Sequence, residues 1–238
     1  MKRLKSTLSP LFAIMALSLL ASGCASSDKP LESASSNTVI QSTLPITHFP
    51  TVVPKDCGDG QAKLYDECAN QVDILKSAIV TAKAENKNVL IVYGGEWCIW
   101  CHVLDNYFKG KFRAFDYRWR DNYSDVQTWS MREKVSQNEI KDAKQLNTYV
   151  ANNFVVAHID NSYANGNEAI AITGLDPAEV YFYPFIVVLD SSGKYVDYMV
   201  PTDAIKGFEI RESGGEEFRG YNRSILIEQL QLLKSKAS

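Results

Sequence analysis

Basic residues are outnumbered in this 238-residue chain: 25 Lys and Arg stand against 28 Asp and Glu, a net charge of −3. That balance argues against nucleic acid or anionic lipid held by field alone. Histidine is scarce as well. Of the three, His48 and His158 have no ligand-like spacing and read as structural, and His102 stands in a motif considered below. No internal repeat is visible, and the longest apolar run at the start of the chain, Leu11 to Leu20, is too short to span a bilayer as a mature helix. What remains is an ordinary globular composition, 45% hydrophobic and 22% charged, which excludes disorder throughout and suffices for one sizeable domain.

The first 23 residues are set apart by a basic start, "MKRLK", followed by the apolar run "LFAIMALSLL". That is the pattern of an export signal. The "ASGC" that follows, Ala21 to Cys24, resembles the lipobox of bacterial lipoproteins, with Ala21 where that family usually has Leu. The resemblance implies a signal peptide over 1–23 and a lipid on Cys24. The alternative is an ordinary signal peptide cut near Ala21 or Ala25. Removing Lys2, Arg3 and Lys5 makes the mature chain more acidic still. Export also places the thiols in an oxidising environment. Ala25 after the lipid cysteine resembles outer-membrane sorting, so the expected location is the periplasmic side of the envelope, outer membrane favoured. Residues 24–61, rich in Ser with scattered Pro, read as a flexible tether.

The domain proper is expected over 62–238. Leu64, Cys68, Val72, Leu75 and Ile79 recur at helical spacing and predict a helix from Leu64 to about Ala84. "NVLIVYGG" reads as a strand buried on both faces, stopped by two glycines, with a helix directly behind it. The aromatic and charged stretch 109–137 reads as an insertion with its own small helical core, or as a docking surface. A helix is expected over about 138–152, with Ile140, Ala143, Leu146 and Val150 inward, and "FVVAHID" as a second buried strand. "YPFIVVLDSSGKYVDYMV" is a hairpin around Gly193. Residues 201–221 read as a loop or small appendage, and Ser224 as the cap of a last helix carrying Leu226, Leu230 and Leu233. The order is that of a βαβ unit joined to a ββα unit, an α/β mixed sheet with helices on both faces.

The chemistry centres on "EWCIWCH". A cysteine in the first turn of a helix has its thiolate stabilised by unpaired N–H groups, and a second cysteine one turn on can attack a mixed disulfide. Cys98 and Cys101 fit those roles. The same five residues "CIWCH" satisfy the attachment pattern for c-type haem, with Met131 or Met199 as conceivable distal ligands. Zinc held by Cys57, Cys68, Cys98 and Cys101 is a third reading, against which stand the ten-residue gap between Cys57 and Cys68 and the oxidising compartment.

"VLIVYGGEWCIWCH" resembles the active-site strand and helix of the thioredoxin superfamily, with Trp97 directly before the first cysteine. The family's cis-proline before the hairpin is matched by Pro184, preceded by Tyr183 where thioredoxins carry Ile or Thr. The likeness extends over about 62–236. It implies a thioredoxin-like fold, with the helical and aromatic insertion following the active-site helix. It further implies thiol–disulfide exchange through Cys98 and Cys101, Pro184 offering backbone to an extended substrate, Trp97 shielding the site, and no bound cofactor or metal. Its partners would be disulfide-containing proteins and a membrane or periplasmic redox protein. The family's buried Asp six residues before the first cysteine is Val92 here, and its Lys on the next strand falls at about Val156. Glu96 and His102 are then the nearby candidates for proton transfer, with a solvated loop acid and a helix-surface imidazole as the plainer alternatives. Cys57 and Cys68 are expected to form a structural disulfide; the alternative is that Cys68 is only a small core residue. A function from another class is also open, a lipoprotein using this fold for partner binding with its dithiol locked as an inert disulfide.

Overall fold

The computed structural model describes residues 43–111, 115–118, 129–131, 136–199, 208–213 and 216–237. The signal peptide, Cys24 and the tether up to residue 42 lie outside the described residues, as does most of the insertion. At the centre is a five-stranded mixed sheet in the order β1-β5-β2-β6-β7. It comprises β1 (His48–Phe49), β2 (Asn88–Gly94), β5 (Phe154–Asp160), β6 (Phe185–Leu189) and β7 (Tyr195–Tyr198). β1 and β2 run parallel to β5, β6 runs antiparallel to β2, and β7 antiparallel to β6. The topology is thioredoxin-like.

Alternation along the strands assigns the two faces. Leu90, Val92, Val156, Ile186 and Val188 meet α2 (Ile99–Phe108), α3 (Gln137–Asn153) and α5 (Arg223–Lys236). Val89, Ile91, Tyr93, Ala157 and Val187 meet α1 (Gln71–Glu85) and α4 (Gly166–Ala171). Every residue of β2 and β5 is buried, because both faces are covered.

Several boundaries differ from the expectations, each for a local reason. α1 begins at Gln71, not near Leu64. Asp66 Oδ1 accepts the N–H groups of Cys68 and Ala69, a turn that competes with the helix, and Asn70 caps the new start by accepting from Val72 N. The tether ends earlier than residue 61. His48–Phe49 adds β1 to the sheet, Val156 N donates to Thr47 O at 2.9 Å, and Asn147 bonds both backbone groups of Leu44. The last helix is capped by Asn222, whose side chain accepts from Ile225 N, so Ser224 lies inside it. The insertion carries strands where a helical core was expected: β3 (Phe115–Arg118) and β4 (Trp129–Met131). They join β8 (Phe208–Ser213) and β9 (Glu216–Tyr221), the segment read as a loop or small appendage, in a four-stranded antiparallel sheet ordered β4-β3-β9-β8. Aromatic and β-branched residues in short alternation favour that outcome.

Cys57 and Cys68 are joined as a disulfide. Closing that short loop contributes about 3 kcal/mol by chain entropy and fixes the segment that carries Leu64 and Tyr65 into the core.

Candidate active site

The dithiol lies where β2 ends and α2 begins. Cys98 is the N-cap residue of α2, with extended backbone, and its Sγ accepts the Cys101 N–H at 3.2 Å. A sulfur in that position receives both an amide donor and the positive helix end, which favour the thiolate. The two sulfurs are bonded to each other. Cys98 retains 4% exposure and Cys101 none, so a substrate reaches Cys98 first.

Gly94 forms the floor. A Cβ there would stand 2.6 Å from Cys101 Sγ, 3.1 Å from Tyr65 Oη and 3.5 Å from Cys98 Sγ, so this position accepts no side chain without displacement. The close packing also leaves no room beside Cys101 for a covalently attached porphyrin, so the residues present do not fit the haem reading.

Pro184 follows a cis peptide bond. Tyr93 pairs with Phe185, the residue after Pro184, across β2 and β6. Tyr183 packs edge-on against Trp97 with ring centroids 5.3 Å apart, and its hydroxyl accepts from Asn161 Nδ2 at 2.6 Å. Trp97 itself is 55% exposed, an apolar surface beside Cys98.

Glu96 is not the solvated loop acid that its sequence context allowed. Its Oε2 accepts the N–H groups of Leu64 and Tyr65 at 2.9 and 3.0 Å, and Oε1 lies 3.4 Å from His102 Nε2. His102 Nε2 also meets Glu96 O at 2.8 Å. The two candidates for proton transfer thus form a clamp tying the active-site turn to the disulfide-bonded segment. They border a groove of about 530 Å³ that also includes Lys63, Glu67, Trp97 and Ile99.

On the neighbouring strand Val92 pairs with His158, and Val156 with Leu90. His158 is buried, and among the described residues neither ring nitrogen has a hydrogen-bond partner. Burial is the main reason that its pKa is pushed down to about 4, with Asp105, 3.9 Å away, acting in the opposite direction. Two positions on, Asp160 is also fully buried; its Oδ1 accepts from Ser162 N at 2.7 Å, and among the described residues its Oδ2 makes no hydrogen bond of ordinary geometry. Burial raises its pKa above the ordinary carboxylate range, partly offset by the backbone amides of Ser162, Glu96 and Tyr163. Sequence reasoning took His158 as structural and did not single out Asp160; the signal was two polar residues ending an otherwise apolar buried strand.

A carboxyl whose folded pKa is raised binds its proton more readily in the folded chain, so stability falls as pH rises through that folded value. Asp160→Asn should therefore unfold at a higher temperature than the parent at pH 8, and the difference should close below about pH 4. Thermal melts of the oxidised protein at the two pH values check this.

No protein-family model matches the chain, and no curated protein matches it. Among solved structures, the chain is similar to a disulphide isomerase from Xylella fastidiosa Temecula1, with 24% identity over 56% of this chain and 76% of that one, at a TM-score of 0.35.

Proposed function

We propose that the chain is a thiol–disulfide oxidoreductase of the bacterial cell envelope, held to the membrane by a lipid on Cys24. The observation that carries this reading is Cys98 at the N-cap of α2, its sulfur receiving the Cys101 amide, with Cys101 bonded behind it. In the reduced protein the Cys98 thiolate attacks one sulfur of a substrate disulfide. A mixed disulfide forms and the first substrate thiolate leaves. Cys101 then loses its proton and attacks Cys98 Sγ. The Cys98–Cys101 bond forms, the second substrate thiolate departs and takes up a proton, and two electrons have passed to the substrate. Pro184 and Tyr183 offer backbone and an aromatic edge to an extended substrate segment. Substrates are disulfide-containing proteins, which the chain reduces or isomerises, and a membrane or periplasmic redox partner restores the dithiol.

Turbidity during reduction of insulin by dithiothreitol tests the reading. The protein should accelerate precipitation; a rate equal to dithiothreitol alone would favour the partner-binding lipoprotein instead.

A further inference from the structure

The loop closed by the Cys57–Cys68 bond touches the active-site turn. Inside that loop, the N–H groups of Leu64 and Tyr65 both donate to Glu96 Oε2, at 2.9 and 3.0 Å, and Glu96 stands two residues before Cys98. Apart from the short turn Cys57–Gly60, the loop has no helix or strand of its own. What fixes it is the bond, the buried side chains of Leu64 and Tyr65, and the Asp66 carboxylate, which accepts from Cys68 N and Ala69 N at 3.0 Å. The bond is accessible from one end: Cys68 is exposed, whereas Cys57 is wholly buried. Asp66 Oδ1 also stands 3.4 Å from Cys57 Sγ, placed to accept an S–H there once the bond opens.

The charge on Glu96 matters to its neighbour. A carboxylate near a thiol disfavours the thiolate unless hydrogen-bond donors compensate it. Two amides supply that compensation here, together with His102, whose Nε2 lies 3.4 Å from Glu96 Oε1. The other titratable groups around the turn are Lys63, Tyr65 and Glu67 from the loop, Asp160 from β5 and Tyr183 before β6; of these only Lys63 is cationic. We propose that Glu96 is a positioning residue through which the Cys57–Cys68 bond controls the reactivity of Cys98, the closed bond and clamped carboxylate giving the reactive state. The inference rests on the disulfide-exchange reading above. To open the bond, a dithiol reductant attacks the exposed Cys68 Sγ. The Cys57–Cys68 bond breaks with its electron pair on Cys57 Sγ, which takes up a proton beside Asp66. The reductant's second thiolate attacks the reductant sulfur held on Cys68, closes its own disulfide and releases Cys68 as a thiolate that solvent protonates. Two electrons and two protons have passed to the pair. Without its tie the loop can retreat, Glu96 loses two donors, and its uncompensated charge raises the proton affinity of Cys98.

The test is alkylation of Cys98 across pH in molecules sorted by mass according to which bonds are open. Graded dithiothreitol, removed before alkylation, should give the parent first with the active-site pair alone open and then with both pairs open. Opening Cys57–Cys68 should raise the half-maximal pH of Cys98 by about one. At neutral pH the reaction should slow about threefold, since the thiolate fraction falls about tenfold and the more basic thiolate regains part of that in nucleophilicity. The plateau rate at high pH should not fall, which separates a charge effect from a merely loosened site. Cys57→Ala/Cys68→Ala should show the open profile at every dithiothreitol concentration. In Glu96→Gln, whose amide oxygen keeps the contact without the charge, the profile should be the same with the bond open or closed. A Cys98 profile that does not move when the bond opens overturns the proposal, as does a shift of equal size in Glu96→Gln, or opening of both pairs together at every concentration. A Cys98 that reacts in no state is a different failure, that of the exchange reading itself. Should the double variant not fold, graded reduction of the parent supplies the open state and decides alone.

Discussion

Cys98→Ser is expected to abolish insulin reduction, a loss of about 10³-fold or more, whereas Cys101→Ser should accumulate covalent mixed disulfides with substrate proteins. The asymmetry follows from geometry. Cys98 alone of the pair has any exposed surface, and its sulfur is the one that accepts the Cys101 amide at the start of α2. A hydroxyl at Cys98 has no comparable nucleophilicity at neutral pH, so nothing begins. With Ser at 101 the first attack proceeds, but no second sulfur releases the partner. Non-reducing gels of the Cys101→Ser protein mixed with oxidised substrate should show bands that vanish with reductant and are missing from the double variant. A chain whose dithiol is only a structural brace would give no such bands in either case.

The second large effect is expected at Gly94. Gly94→Ala puts a Cβ 2.6 Å from Cys101 Sγ and 3.1 Å from Tyr65 Oη, well inside van der Waals contact. Neither neighbour can retreat. Cys101 and Tyr65 are both fully buried, Cys101 is bonded to Cys98, and the Tyr65 backbone is held by Glu96. A packed core with no slack converts such an overlap into a loss of about 2 kcal/mol, and the displaced sulfur should also slow exchange. Chemical denaturation and the insulin assay on Gly94→Ala check both; unchanged stability would mean that the floor of the site is not packed as described.

How far the chain could be read in advance differs by element. The strands Asn88–Gly94 and Phe154–Asp160 were legible because a layer covered on both sides demands unbroken apolar runs, and the hairpin at Gly193 because its turn needs a residue at φ 84°. The edges of helices were less so. Leu64 and Cys68 continue the apolar period of α1, yet a carboxylate at Asp66 binds the amides that the helix would have used. Asn222 and Ser224 are both competent caps, and only the extended backbone of the first decides. β1 has two residues and exists because β5 offers an open edge, a long-range fact. The second sheet, too, depends on pairing between segments about a hundred residues apart.

The same division holds in the site. Cys98 and Cys101 are marked by spacing and are bonded to each other, while Trp97 and Pro184 were marked by the family resemblance; Trp97 packs against Tyr183, the residue before cis-Pro184. Cys57 and Cys68 meet in a separate bond beside them. Glu96 and His102 were marked as titratable but serve as a clamp. Asp160 and His158 could not be ranked from sequence, since their neighbours come from register, which pairs Val92 with His158 and Gly94 with Asp160.

The central claim, that the start of α2 makes Cys98 the acidic and attacking sulfur, is tested most directly by alkylating the reduced protein with iodoacetamide across pH and quantifying each cysteine on its own peptide. Cys98 should be modified half-maximally well below about pH 8.5, the ordinary thiol value, while Cys101 stays unmodified in the folded state. A Cys98 that titrates at the ordinary value, or a Cys101 that reacts first, would contradict the account.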